Sequence, residues 1–353
     1  MTVSVLVARL DSAGDVLLAG PAVRAIRAGA DRVVMLVSPH GQAAAELLIG
    51  VDEVLVWECP WITTPAPAVT SENVTRLVHQ LGSLGLAAAV VLTSFHQSPL
   101  PLALLLRLAG VARITAASID YPGSLLDTRL RPGEPGPDGI PEDLPEPERA
   151  LAIAAAAGFR LPPGDTGRLA IRPVPPATPA LVGPGRYVVA HPGARAPARR
   201  WPATQWQAAV AALVATGHRV VLTGTDQETA LTRQVAGQLF GSQAVRDLAG
   251  RTTLAELAGV LASADALVVG NTGPAHLAAA VGTPVVSLFA PVVPALRWAP
   301  YQVPHRLLGD QTAPCRNTRA RTCPLPGHPC LTHISPHDVV TAVHQLITPE
   351  APT

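Results

Sequence analysis

What most constrains this chain is an alternation that runs almost its whole length. Short runs of β-branched residues and leucine are each followed by an alanine- and leucine-rich stretch. Continuous apolar runs suit strands buried on both faces, and the helical stretches between them supply the crossovers that parallel strands need. The pattern therefore predicts an α/β fold with parallel sheets. In the first half it places strands over 3–8, 32–37, 53–57 and 89–92, with helices over 16–27, 42–48, 72–81 and 101–108. Prolines and acidic residues crowd together over 131–148, which predicts a surface loop. Proline-rich 172–184 reads as an interdomain linker. The alternation then restarts, with strands over 187–190, 219–222, 266–269 and 284–288, and helices over 204–215, 227–239, 254–261, 274–281 and 336–347. We expect two doubly wound domains facing a central cleft. The N-terminal domain covers 1–175, the C-terminal domain 176–335, and a terminal helix and tail 336–353. A length of 353 residues fits two domains of ordinary size.

Composition removes several classes of function. With 48% hydrophobic and 14% charged residues, the chain has the apolar surface to fold. All 26 basic residues are arginine, against 25 acidic residues, and a net charge of +1 gives no field that would hold a nucleic acid. Four cysteines in a chain this long do not make a disulfide scaffold. The N-terminal apolar run lacks the basic flank of a signal peptide, and the longest apolar stretches fall short of the roughly 20 residues a membrane helix needs. The expected setting is the cytoplasm, with at most a peripheral contact at the inner membrane surface.

In open α/β sheets, ligands bind beyond the carboxyl ends of strands, where helix N-termini offer free N–H groups. Three strand-to-helix turns qualify. Arg9-Leu-Asp-Ser-Ala-Gly-Asp15 closes the first strand and is not a dinucleotide fingerprint. Asp15 reads either as a helix-capping acid or as a general base, ionised at neutral pH with an ordinary pKa of about 3.9. Val269-Gly-Asn-Thr-Gly-Pro-Ala-His276 could form a phosphate cradle at Thr272 and Gly273, Pro274 being tolerated where helical N–H groups are unpaired. His276 is either a structural histidine or a ligand contact. The third turn is His191-Pro-Gly-Ala-Arg195 followed by Arg199-Arg-Trp-Pro202, with guanidinium groups suited to a diphosphate or simply solvated. After another strand comes Thr223-Gly-Thr-Asp-Gln-Glu228, where an acid could read a ribose. Cys315, Cys323 and Cys330, with His328 and His333, match no paired zinc spacing. Free thiols, a metal site and an oxidised pair all stay open.

Taken in order, these motifs resemble glycosyltransferase family 9, the heptosyltransferases of lipopolysaccharide core assembly. The likeness runs from Arg9-Leu-Asp-Ser-Ala-Gly-Asp15-Val-Leu-Leu-Ala-Gly-Pro21 through His191-Pro-Gly-Ala, Arg199-Arg-Trp-Pro202 and Val221-Leu-Thr-Gly224. It ends at Asp247-Leu-Ala-Gly-Arg-Thr-Thr-Leu-Ala-Glu-Leu257 and Asn271-Thr-Gly-Pro-Ala-His-Leu-Ala-Ala-Ala280. The resemblance implies a GT-B architecture, with the acceptor mostly on the first domain and the nucleotide sugar mostly on the second. It implies inverting transfer without metal or cofactor, typically from ADP-heptose, to a glycan, lipid or small-molecule hydroxyl. On this resemblance Asp15 is the base, and Arg199, where the family usually has lysine, holds the diphosphate beside Gly193 and Ala194. Glu228 meets the ribose, Thr252 the adenine through its main chain, Thr272 and Gly273 the phosphates, and Asn271 and His276 the transferred sugar. The family commonly has Asp at the position of Asn271. A nucleotide-sugar epimerase and a non-catalytic nucleotide-sugar-binding module are the rival readings.

Overall fold

A strand whose residues are all apolar has no face to offer water. In the computed structural model, which describes residues 3–94 and 96–348, β1 (Ser4–Arg9), with its apolar run Val5–Ala8, is buried along its whole length. The chain divides into two units, Met1–Arg172 and Pro173–Thr353. In the first, β2 (Arg32–Val37), β3 (Glu53–Val56), β4 (Ala88–Val91), β5 (Arg113–Ala117), β6 (Thr128–Pro132) and β7 (Gly139–Ile140) join β1 in one sheet of order β3-β2-β1-β4-β5-β6-β7. Every pairing is parallel, and Val7 stands opposite Met35 on one side and Val90 on the other. The crossovers carry α1 (Ala13–Leu18), α2 (Gly20–Gly29), α3 (Gln42–Leu47), α4 (Ser71–Ser83), α5 (Leu100–Leu108) and α6 (Glu146–Ala156). Leu6, Leu36, Leu77, Leu81 and Leu106 build one face of the core.

The second unit repeats the plan. It has α7 (Pro179–Val182), β8 (Val188–His191), α8 (Ala203–Ala215), β9 (Val220–Leu222), α9 (Thr229–Ala236), β10 (Val245–Asp247), α10 (Leu254–Ala262), β11 (Ala266–Gly270), α11 (Gly273–Val281), β12 (Val285–Leu288), α12 (Ala295–Trp298), β13 (His305–Leu308), α13 (Pro329–Thr332) and α14 (Pro336–Ile347). Its parallel sheet runs β10-β9-β8-β11-β12-β13. In both units the strand order reverses beside the first strand, between β1 and β4 and between β8 and β11. A crevice opens at such a point because successive crossovers leave on opposite faces. The terminal helix α14 packs on α8, and Val343 shares a core with Trp206, Val220 and Leu288. Helix and sheet of this unit thus form one body, while the tail past residue 348 lies outside the described residues.

Several local expectations are corrected. The single helix expected over 16–27 is two, because Pro21 lies in the first turn of α2 and cannot donate back into α1. The helix expected over 227–239 is α9 flanked by short 3-10 turns, Asp226–Glu228 and Gly237–Leu239. The segment 131–148 is not simply a surface loop: it ends β6, supplies the edge strand β7 and starts α6, with Glu146 buried at 3% exposure. The stretch 172–184 is anchored at two points in its first half. Arg172 donates its N–H to the Leu47 carbonyl at 2.8 Å, and Ala177 donates to the Gly259 carbonyl at 3.3 Å. A Cβ on Gly259 would lie 2.3 Å from the Pro175 carbonyl oxygen.

That close approach makes a test of the second unit's packing. Gly259→Ala forces backbone against backbone, and overpacking of this kind typically costs about 1–3 kcal/mol. We expect a lower urea midpoint for the Pro173–Thr353 transition, with the transition of the other unit unmoved.

Candidate active site

β1 ends in a buried arginine. Arg9 is 3% exposed, and its guanidinium meets three carboxylates: Asp11 at 3.0 Å, Asp15 at 3.2 Å and Glu146 at 3.4 Å. It also donates to Ser94 Oγ at 3.1 Å. Ser94 follows β4, the neighbour of β1 at the reversal of strand order. Asp15 is the helix-capping acid its position allowed, and it also meets Arg9. One oxygen, Oδ2, accepts from the Ser12 N–H at 3.3 Å and the Ser12 hydroxyl at 2.7 Å, closing a capping box on α1. The other, Oδ1, faces Arg9. The carboxylate is held at both ends, yet its side chain keeps 21% of its surface in water.

Asp11 is the deeper acid. Gln97 Nε2 and Ser94 Oγ donate to its carboxyl group, and Ser38 Oγ donates to its main-chain carbonyl at 2.6 Å. Burial pushes its pKa up to about 6. Arg9 opposes that rise, while Asp15 and Glu146 add to it. Burial also works against the charge of Arg9, but Asp11, Asp15 and Glu146 outweigh it and hold the guanidinium above its usual range.

In the second unit the turns after β8, β9, β10 and β11 hold the remaining expected residues. Gly193 follows β8, and a Cβ there would lie 2.0 Å from Glu228 Oε1. A side chain there would have to displace the Glu228 carboxylate, which packs against the backbone. Glu228 is fixed in turn by accepting from the Thr225 N–H at 2.8 Å and hydroxyl at 3.0 Å. Behind it His191 Nδ1 shares a 2.9 Å hydrogen bond with Thr223 Oγ1, and burial lowers the pKa of this imidazole. Arg200 Nε donates to the Ala194 carbonyl at 2.7 Å, closing the loop.

Arg199 links two turns: its Nη1 donates to the Asn271 carbonyl at 3.2 Å. Asn271 is fixed through its own amide, which accepts from the Ala290 N–H at 3.1 Å and donates to the Ala290 carbonyl at 3.2 Å. Thr272 is the N-cap residue of α11, and its buried hydroxyl has no hydrogen-bond partner among the described residues. A buried, unpaired hydroxyl at a helix start calls for an acceptor from outside. Gly273 opens α11 with Pro274 beside it, and His276 lies one turn in at 6% exposure. Thr252 precedes α10, in a turn tied to the next by the Gly250 N–H donating to the Gly224 carbonyl at 2.9 Å.

The structure therefore gathers Gly193, Ala194 and Glu228, then Arg199, Asn271, Thr272, Gly273 and His276, at the carboxyl ends of one sheet, with Thr252 on an adjoining turn. Asp15 stands in the other unit. Sequence reasoning did not single out Arg9, Asp11 and Glu146, which the structure brings together around Asp15. A charged residue ending an apolar strand is a usable signal for Arg9, but nothing local marks Glu146, which the fold brings from α6. The cysteine-rich segment has a bracing role: His328 Nε2 contacts the Ala198 carbonyl at 3.0 Å, and the Ala198 N–H donates to Arg321 at 2.9 Å. All four thiols are free. Burial, with Cys315 and Cys323 adding, pushes the Cys330 thiol up to about 12.

Two parallel Rossmann-like sheets, each with its polar turns at the strands' carboxyl ends, define an α/β protein of GT-B type. Residues 165–328 match the model of glycosyltransferase family 9 (heptosyltransferase). It is 33% identical over 165 residues to lipopolysaccharide heptosyltransferase 3 of Escherichia coli, covering 46% of this chain and 47% of that protein. It is 26% identical over 176 residues to lipooligosaccharide heptosyltransferase 2 of Campylobacter jejuni, covering 48% and 55%. The chain thus spans about half the length of the curated relatives it matches. The fold is similar over nearly all of its length to E. coli ADP-heptose lps heptosyltransferase II, with a TM-score of 0.73 and 20% identity, covering 98% of each chain. The glycosyl transferase family 9 protein of Veillonella parvula gives 0.74 at 16% identity, covering 98% of this chain and 97% of that one. Among the described residues, no helix is long and apolar enough to cross a membrane.

The Asp11 carboxyl gives the fold a pH dependence of defined sign. Its folded pKa, about 6, lies above the 3.8 of a free carboxyl, so its contribution is fully present below 3.8 and is lost as pH rises through 6. Asp11→Asn removes that loss. We expect the stability of the variant relative to wild type to rise by about 1–3 kcal/mol between pH 4 and pH 7.5, read from urea midpoints.

Proposed function

We propose that this chain is an inverting, metal-independent glycosyltransferase that moves a heptose from ADP-heptose to a hydroxyl of a glycan, lipid or small metabolite. The observation that carries the reading is the gathering of the family-matched residues at the ends of β8, β9 and β11 around the unpaired Thr272 hydroxyl. The relatives' names, lipopolysaccharide and lipooligosaccharide heptosyltransferases, support the sugar and the acceptor class. The name of the E. coli protein of similar fold supports the ADP donor.

In this reading Asp15 takes the proton from the acceptor hydroxyl. The acceptor oxygen attacks the anomeric carbon from the face opposite the diphosphate. The bond from that carbon to the phosphate oxygen breaks, and its electron pair leaves with ADP. Charge growing on the diphosphate is met by Arg199, by the Thr272 hydroxyl and by the N–H groups opening α11 at Gly273. These groups supply the electrostatics that a metal would otherwise provide, and no cofactor is needed. Glu228, beside Gly193 and Ala194, accepts from the ribose hydroxyls, and the Thr252 main chain meets the adenine. Asn271 keeps one N–H and one lone pair beyond its bonds to Ala290, and these with His276 face the sugar. We place the reaction in the cytoplasm, peripheral to the inner membrane surface when the acceptor is a lipid.

Two variants test the reading. Asp15→Asn should bind ADP-heptose as wild type does, by calorimetry, while transfer falls at least about a hundredfold; near-normal turnover would remove Asp15 as the base. Gly193→Ala should weaken ADP-heptose binding about tenfold or more, because the new Cβ displaces the Glu228 carboxylate, and unchanged affinity would remove Glu228 from the donor site. A chain that binds ADP-heptose and forms no product with any acceptor would be a binding module.

A further inference from the structure

The acid–arginine cluster around Arg9 is more elaborate than capping a six-residue helix requires. We propose that Asp11 and Glu146 are positioning residues that share the Arg9 guanidinium with Asp15, so that Arg9 orients the Asp15 carboxylate without stripping it of basicity. The proposal rests on Asp15 being the base of the transfer reaction.

The argument begins with a conflict. A base must be aimed, and an arginine fork is an effective way to aim a carboxylate. An arginine paired with one carboxylate alone also lowers its pKa and makes it a poor proton acceptor. Here one guanidinium faces three carboxylates at 3.0, 3.2 and 3.4 Å. The two shared acids are almost out of water, with side-chain exposures of 10% for Asp11 and 2% for Glu146, whereas Asp15 keeps 21%. The two buried acids stay with Arg9, and Asp15 is the one of the three that solvent reaches most. Ser94 fixes the geometry by accepting from Arg9 and donating to Asp11.

Several neighbouring charges have partners of their own. Arg149, on α6 with Glu146 and Glu148, donates to the Thr93 carbonyl at 3.2 Å. Cys59, after β3, is buried; burial first, and then Asp11, push its thiol up to about 12, so it stays neutral. On α2 and α3, which pack against α1, Arg24 pairs with Asp165, Arg27 with Asp52, and Glu46 accepts from Gln42.

The test is Asp11→Asn and, separately, Glu146→Gln in the full chain. Glu146→Gln removes a competitor for Arg9 and an anion near Asp15, so both effects lower the Asp15 pKa; Asp11→Asn does the same only above about pH 6, where Asp11 is ionised. Titration of ¹³C-carboxyl-labelled aspartate, with the Asp15 signal assigned by its loss in Asp15→Asn, should show the midpoint falling by about half a pH unit or more. The acid limb of kcat should move down with it, and the kcat plateau should fall several-fold at unchanged KM for ADP-heptose. A purely structural role would reduce the folded fraction and leave the Asp15 midpoint in place. An unmoved midpoint in folded Glu146→Gln overturns the proposal. Because the titration needs no turnover, a wild-type chain without transferase activity would sink the catalytic reading while the midpoint still decides the sharing of Arg9.

Discussion

A buried guanidinium needs counter-charge, and buried carboxylates need it as much. An isolated ion of either kind costs several kcal/mol to take out of water, and removing one partner leaves the others uncompensated. At the end of β1 the chain resolves this by bringing Asp11 and Asp15 from the following turn, and Glu146 from α6, onto Arg9. The arrangement dictates much of the first unit. Ser94 has to follow the strand next to β1, Ser38 has to hold the Asp11 main chain, and α6 has to return to the sheet with its first turn buried.

The second unit solves a different problem with main-chain contacts. Its turns are locked backbone to side chain: Asn271 to Ala290, Glu228 to Thr225, Arg200 to Ala194. Glycines at 193 and 250 let acidic groups lie against the chain where any Cβ would collide. Loops tied in this way lose little freedom when a ligand arrives, which is how preorganised sites gain affinity. The irregular cysteine-rich stretch joins this network through His328 and Arg321, whose contacts to Ala198 brace the loop that carries Arg199.

Much of this is legible in the sequence alone. Periodicity is strongest where a strand is buried on both faces, and β1, β2, β11 and β12 were all readable because they are nearly unbroken apolar runs. The weaker strands were missed for physical reasons. β6 and β13 lie toward sheet edges, β10 is an edge strand, and all three carry arginine among their few residues, so their pattern is diluted. The turns at 9–15, 191–199 and 269–276 were legible because glycine, proline and capping residues follow local rules that need no tertiary knowledge.

The sequence by itself determined the parallel α/β class, the division into two halves and the turns where polar chemistry gathers. Those properties come from side-chain period and from local turn geometry, both of which act within a few residues. Only the tertiary structure decided that Glu146 shares Arg9 with Asp15 across 131 residues of chain, or that Gly193 makes room for Glu228. Such contacts join turns that adjoin only once the strands have registered side by side, and no local pattern along the chain encodes that distance.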